Sequence, residues 1–375
     1  CKHETIIKRM KFLHKIFGQR KDEPINTYSD FWDWFVKNEK AFFTIVKEQS
    51  NIENKFFDKL TPKLNELKDG YFFLTGMYND KTAELIITPD GNVKNVVFVE
   101  ELIESAPKLD HWRFTSLKPA LDIKDIGISM AGLKFNEEKL SFYANENPDY
   151  PDEIDITIVH ADFNHENRSE IINGTYLFLD NYLGELNFIE IIDNLDFQEK
   201  KDAEKELIPI GKLKDFITWR QKEFVEKYDG IRTNSDADSC SIIKATFESG
   251  RKLIAAINTD LIKWDRKASH PWILSIEIKY NGESNNGMPD DSTFKRLNVL
   301  EDELLAELKD KDGYLYIGRQ SANNLREIYF ACKDFRKPSK VAFEFQEKYK
   351  DSEEIVYDIY KDKYWKSFDR FNPDN

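Results

Sequence analysis

The chain of 375 residues carries 69 acidic and 55 basic side chains, a net charge of −14, and only three cysteines. Forty per cent hydrophobic and 14 per cent aromatic content is enough for a packed core and excludes wholesale disorder. No apolar run reaches the roughly 18 residues of a spanning helix, and the cysteines form no CxxC pair and no disulfide framework.

The length predicts two or three domains, and the cysteine usage predicts a reducing, cytoplasmic setting. The charge is uneven. Residues 1–21 hold seven Lys/Arg (Lys2, Lys8, Arg9, Lys11, Lys15, Arg20, Lys21) against Glu4, so they carry +6 and the rest of the chain −20. Ile6, Met10, Leu13 and Phe17 recur at helical spacing and define a basic amphipathic segment, 1–27. A helix docking on the body, or a free arm, is the expected use of this segment. Contact of residues 6–17 with an anionic membrane is the less favoured reading. Cys1 offers a lipoprotein alternative, and Met10 an alternative natural start. An acidic body repels phosphate backbones, so direct nucleic-acid binding is not expected, and a protein partner with a basic surface is.

In chain order, Ser29 or Asp30 caps a helix presenting Phe31, Trp34, Phe35, Phe42 and Ile45 on one face. Ser50 and Glu53 form a capping-box pattern for a second helix ending at Gly70. Strands from Tyr71 and over 83–88, a helix to about Ser105 and a strand over 111–117 follow. Further strands are expected at about 126–132, 139–145 and 154–162, then a helix over 168–183 and a strand from Leu186. A helix through Leu213, Ile217, Phe224 and Tyr228 closes this N-terminal α+β domain, 28–230.

The polar run Thr233–Ser239 marks the boundary of a C-terminal domain, 231–375. It opens with a hairpin around Ser249-Gly250, then a strand over 272–280 and a leucine-rich helix from Phe294 to Leu308. Strands over 313–320 and 326–333, a helix over 338–349 and a strand over 354–360 complete it. The β-α-β-β-α-β order predicts a ferredoxin-like antiparallel sheet with both helices on one face. Leu64-Asn-Glu-Leu-Lys-Asp-Gly-Tyr echoes Leu305-Ala-Glu-Leu-Lys-Asp followed by Gly313-Tyr. The overall class is therefore α+β with two similar α/β modules.

Chemistry-bearing patterns are few. His160, Asp162 and His165 are spaced so that a strand turns the first two to one side, the basis of an alternative reading as a metal-dependent hydrolase. A polar strand end is the preferred account of the same residues. Tyr314, Tyr316, Tyr329 and Phe330, with Arg319, lie on paired strands and read as sheet core or a protein-facing surface. No nucleophile, phosphate-loop or dinucleotide signature is present, so neither a catalytic set nor a cofactor is expected.

His270-Pro-Trp272, Asn286-Gly-Met-Pro-Asp290, Leu300-Glu-Asp-Glu-Leu304, Gly318-Arg319, Arg326-Glu327 and Asp362-Lys-Tyr-Trp365 together resemble the bacterial domain-of-unknown-function family 695. The resemblance covers about residues 235–368, and residues 28–230 look like the segment often preceding it. More distantly, it is similar to the regulator of ribonuclease E activity B, a small acidic ferredoxin-like inhibitor. The resemblance implies a non-catalytic regulatory or inhibitory protein, of nuclease-inhibitor or immunity type, that docks on another protein.

Overall fold

The computed structural model describes residues 24–223 and 232–372. The basic segment expected over 6–17, Cys1 and Met10, and the helix end at Phe224, Tyr228 and Gly230 lie outside them. The chain divides into two compact units. One runs to Asn145 and resumes over Ile154–Ile217; the other takes Glu146–Glu153 and the described residues from Thr218 onward.

The first unit opens with α1 (Tyr28–Glu48), capped by Thr27 in a capping box with Asp30, two to three residues before the expected cap at Ser29 or Asp30. A π-helical turn, Glu53–Phe57, leads into α2 (Asp58–Leu67); Ile52, not the expected Ser50, holds its N-cap position and makes no side-chain cap. Next come β1 (Phe72–Asn79), β2 (Thr82–Thr88), α3 (Val93–Glu104) and β3 (Trp112–Ser116). The strands stand in the order β1-β2-β3, with β1–β2 antiparallel and β2–β3 parallel. The aromatic stripe of α1 packs on this sheet, Phe35 meeting Trp112 edge-on at 5.1 Å.

The unit continues with β4 (Ile128–Met130), β5 (Leu133–Phe135), β6 (Leu140–Asn145), β7 (Asp155–His160), α4 (Arg168–Leu183), α5 (Glu185–Ile191), β8 (Asn194–Phe197), β9 (Ile208–Pro209) and the start of α6 (Leu213–Glu223). A second sheet, β8-β7-β6-β9, shares a core with Phe135, Phe178 and Leu213. The strand expected from Leu186 is the helix α5. Its run of apolar residues fits either period, and buried Glu185 at its first turn fixes the outcome by bonding to the ends of β2 and β3, as described below.

The second unit contains β10 (Cys240–Thr246), β11 (Lys252–Asn258), the short α7 (Thr259–Ile262), β12 (Trp272–Lys279), α8 (Asp291–Glu307), β13 (Tyr314–Ala322), β14 (Leu325–Cys332), α9 (Arg336–Tyr349) and β15 (Ile355–Lys361). They form one six-stranded sheet, β10-β11-β13-β14-β12-β15, antiparallel throughout. On one face α8 and α9 bury Leu297, Leu300, Leu304, Ala342 and Phe345. On the other, α7 and the C-terminal turn seal Ile257, Leu315, Tyr329, Trp365 and Phe368 into a second core. Both faces of the central strands are thus covered, and open sheet is confined to the edges.

The internal echo corresponds to a shared order, α2-β1-β2-α3-β3 beside α8-β13-β14-α9-β15. The sheets differ. In the second unit β12 stands between β14 and β15, whereas β2 and β3 pair directly in parallel. Among the described residues α1 and the π-helical turn, not a strand, precede the first copy, which leaves no counterpart of β12 there.

Candidate functional site

Three of the motifs that carry the family resemblance, those containing Glu301, Arg319 and Arg326, converge on one point under α8. Arg319 Nη1 donates to Glu301 Oε1 at 2.7 Å, and Arg326 Nη1 donates to Glu301 Oε2 at 3.0 Å. The Tyr316 hydroxyl donates to the same carboxylate, and Arg326 Nε donates to Ser321 Oγ at 2.7 Å. Arg326 and Glu301 are 1% and 3% exposed, whereas the Arg319 side chain is 28% exposed. The exposed ring of Phe294 lies over both guanidiniums, 5.8 Å from Arg319 and 5.5 Å from Arg326.

A backbone irregularity makes the cluster. Tyr316 pairs with Phe330 and Gly318 with Tyr329, so Ile317 is an extra residue in β13. Residues three apart on a regular strand point to opposite faces; the bulge brings Tyr316 and Arg319 to the same one. Gly318 sits at φ +144, and a Cβ there would stand 2.3 Å from the Ala256 carbonyl oxygen, so only glycine fits.

Burial and the neighbouring Glu301 push the Tyr316 hydroxyl far above the usual tyrosine range, which keeps it a donor. Burial also lowers Arg326, although Glu301 opposes this, while Glu301 lifts Arg319 despite its desolvation. One carboxylate thus serves two cations and a phenol.

The four residues expected to share a surface are not together. Tyr316 and Arg319 face α8. Tyr314 is buried, 6% exposed, with the Lys337 ammonium 5.3 Å above its ring and its own pKa pushed by burial to about 12. Tyr329 is 3% exposed on the opposite face against Phe368, bonding Glu327 at 2.8 Å. Of the four, Tyr314 and Tyr329 are buried, while Tyr316 and Arg319 are partly exposed. Glu301 and Arg326 escaped the sequence reading although a signal existed. Glu301 interrupts the apolar stripe of Leu297, Leu300 and Leu304, and Arg326 occupies the core-facing phase shared by Ile328 and Phe330.

Two other family motifs meet elsewhere in this unit. Trp365 Nε1 donates to the His270 carbonyl at 2.8 Å, and the Asp362 backbone N–H donates to that of Pro271 at 2.8 Å. Burial drives His270 down to about 4, with Lys333 adding to the effect, so the ring is neutral.

His160, Asp162 and His165 do not assemble a metal centre. His160 is fully buried, its Nε2 2.9 Å from the Lys134 carbonyl and its Nδ1 accepting the Asp162 N–H at 3.1 Å. Both ring nitrogens are committed to backbone. Asp162 pairs instead with Lys139 at 2.9 Å, and His165 is exposed at the start of a helical turn. Among the described residues no group of three or more His, Cys, Asp or Glu is arranged to hold a metal ion. A groove of about 190 Å³ between α8 and α9, lined by Glu303, Glu307, Glu344 and Lys348 among others, falls below the size of ordinary ligand pockets.

The first unit holds a second buried charge cluster where β2 and β3 end. Lys118 Nζ bonds Asp90 at 2.7 Å and Asp180 at 2.9 Å. Glu185 accepts from the Thr88 hydroxyl, from the Gly91 N–H at 2.7 Å and from the Lys118 N–H at 3.0 Å. Burial, reinforced by Glu185 and Asp90, raises Asp180 to about 6 against the pull of Lys118. This cluster ties α4 and α5 to the strand ends.

A family model described as a family of unknown function (DUF695) matches residues 249–371, from the turn of the β10–β11 hairpin to the C-terminal turn. Over these residues, about a third of its length, the chain is similar to that family. No curated protein and no solved structure matches the chain. The match also locates the charge. Residues 249–371 contain 22 Lys/Arg and 22 Asp/Glu, whereas residues 24–223 contain 23 and 38. The acid excess lies ahead of the family domain. Among the described residues no helix is long and apolar enough to cross a membrane.

Proposed function

We propose that the C-terminal unit is a protein-binding module that docks a partner along the β10–β11 hairpin, and that the chain acts by regulation rather than catalysis. The observation that carries this is Ile242, 70% exposed in the middle of an edge strand. β10 pairs with β11 through seven unbroken register positions, has no proline or bulge, and offers its outer backbone groups to another strand. Ile242, Ala256 and Arg319 occupy one register row on the face that α8 covers further along the sheet. Cys240 and Lys244, on the same side of β10, are exposed as well. Proteins ordinarily protect such an edge.

An inhibitor or immunity-type role toward a basic protein such as a nuclease rests on the acid excess, and that excess belongs to residues 24–223. The free thiols of exposed Cys240 and buried Cys332 suit a cytoplasmic location.

Purification of the full chain from its native host, wild type beside Ile242→Lys, tests the proposal. A stoichiometric partner is expected with the wild type and absent with the variant, and β10 amides should exchange more slowly in the complex. A partner retained equally by both chains, or no partner at all, overturns it.

A further inference from the structure

Two guanidiniums share one carboxylate beneath α8, and Tyr316 stays neutral, so the centre carries one surplus positive charge. Buried charge without a counter-charge is costly. The surplus is displaced toward solvent: Arg326 is sealed by Ser321, Asn298 and Glu301, while Arg319 uses Nη1 on Glu301 and keeps a partly exposed fork of donors. Phe294 roofs this position from α8. Along the same register row, Ile242 lies two strands away, about 10 Å at ordinary strand spacing.

From this arrangement, and resting on the protein-binding reading above, we infer that Arg319, backed by Arg326 and covered by Phe294, binds an acidic side chain of the partner. A planar carboxylate matches a free guanidinium edge. It also matches the charge: one surplus cation is neutralised by a monoanion, whereas a phosphate dianion would face Glu301 across a few ångströms. A partner segment carrying an apolar residue for Ile242 and a carboxylate for Arg319 reaches both points without crossing α8.

The site is testable without the partner, using acetate as probe. Acetate and phosphate are titrated separately into the full chain at constant ionic strength, following arginine Nε–Hε resonances. Acetate should move the Arg319 signal saturably, phosphate less. Arg319→Gln should weaken the acetate response about tenfold or more while leaving the unfolding midpoint close to wild type. Glu301→Gln, which raises the surplus to two, should tighten acetate and admit phosphate. No saturable shift in the wild type, or a response that survives Arg319→Gln, overturns the inference. Phosphate binding more tightly than acetate overturns the carboxylate assignment. Acetate binding at Arg319 alongside partner capture that ignores Ile242 sinks the hairpin reading and leaves this site standing as a small-carboxylate site.

Discussion

Arg326 on a strand and Glu301 on a helix close a 3.0 Å ion pair that solvent barely touches. The pair is the connection between α8 and the sheet at the point where an apolar contact would be usual. Two partners of one carboxylate make the consequences of mutation unequal.

Removing Glu301 leaves two guanidiniums facing each other, so Glu301→Leu should cost about 3–5 kcal/mol. Arg326→Leu leaves Glu301 still bonded to Arg319 and Tyr316, and should cost less, about 1–3 kcal/mol. The double variant should recover much of the larger loss, because the buried charge goes with its partner. Urea denaturation of the three proteins checks the order. Additive losses would mean that the pair is not coupled as drawn.

Gly318→Ala tests the bulge. Its positive φ and the 2.3 Å approach of a Cβ to the Ala256 oxygen predict a loss of at least about 2 kcal/mol. Gly76→Ala in β1 is the control, since a Cβ there meets nothing within 4 Å, and it should stay within about 0.5 kcal/mol of wild type. Equal effects at the two positions would remove the bulge from the account of how Arg319 reaches Glu301.

The sequence made the helices and strands of the second unit legible because their periods are clean and their turns carry glycine, proline and asparagine. The order of elements from Trp272 to Lys361 is the expected one, with element ends displaced by up to three residues. The centre was legible only in parts. Tyr316 and Arg319 were singled out, but the spacing of three between them puts them on opposite faces of any regular strand, and an unannounced extra residue at Ile317 reverses that. Glu301 and Arg326 are charges at apolar phases, a signal that needs both elements placed before it means anything. In the first unit, the sequence of α5 points to a strand for a different reason. Its residues suit strand or helix, and the choice is made by tertiary bonds from Glu185 to Thr88, Gly91 and Lys118, which lie 67 to 97 positions away in the chain.

His270 gives the second unit a sensitivity to acid. Its folded pKa of about 4 lies below the ordinary histidine value of 6.5, so the folded state resists the proton that the unfolded chain accepts. Stability from this group is complete above about pH 6.5 and is lost as pH falls toward 4, by up to about 3 kcal/mol. Hydrogen exchange of β12 and β14 amides against pH should follow that window. His270→Gln should flatten it, and an unchanged slope in the variant would exclude His270 as the source.

Asp180 gives the first unit the opposite slope. Its folded pKa of about 6 exceeds the ordinary aspartate value of 3.8, so the folded state holds the proton more tightly than the unfolded chain. The contribution of this group therefore falls as pH rises from about 4 to about 6, by up to about 3 kcal/mol, and is level above that. Asp180→Asn mimics the protonated form. It should match wild type near pH 4 and become the more stable protein as pH rises to 7, measured through exchange of α4 and β2 amides. Lys118 decides the sign: a gap that opens in favour of wild type would mean that its ammonium, 2.9 Å from Asp180, outweighs the burial and the two neighbouring carboxylates.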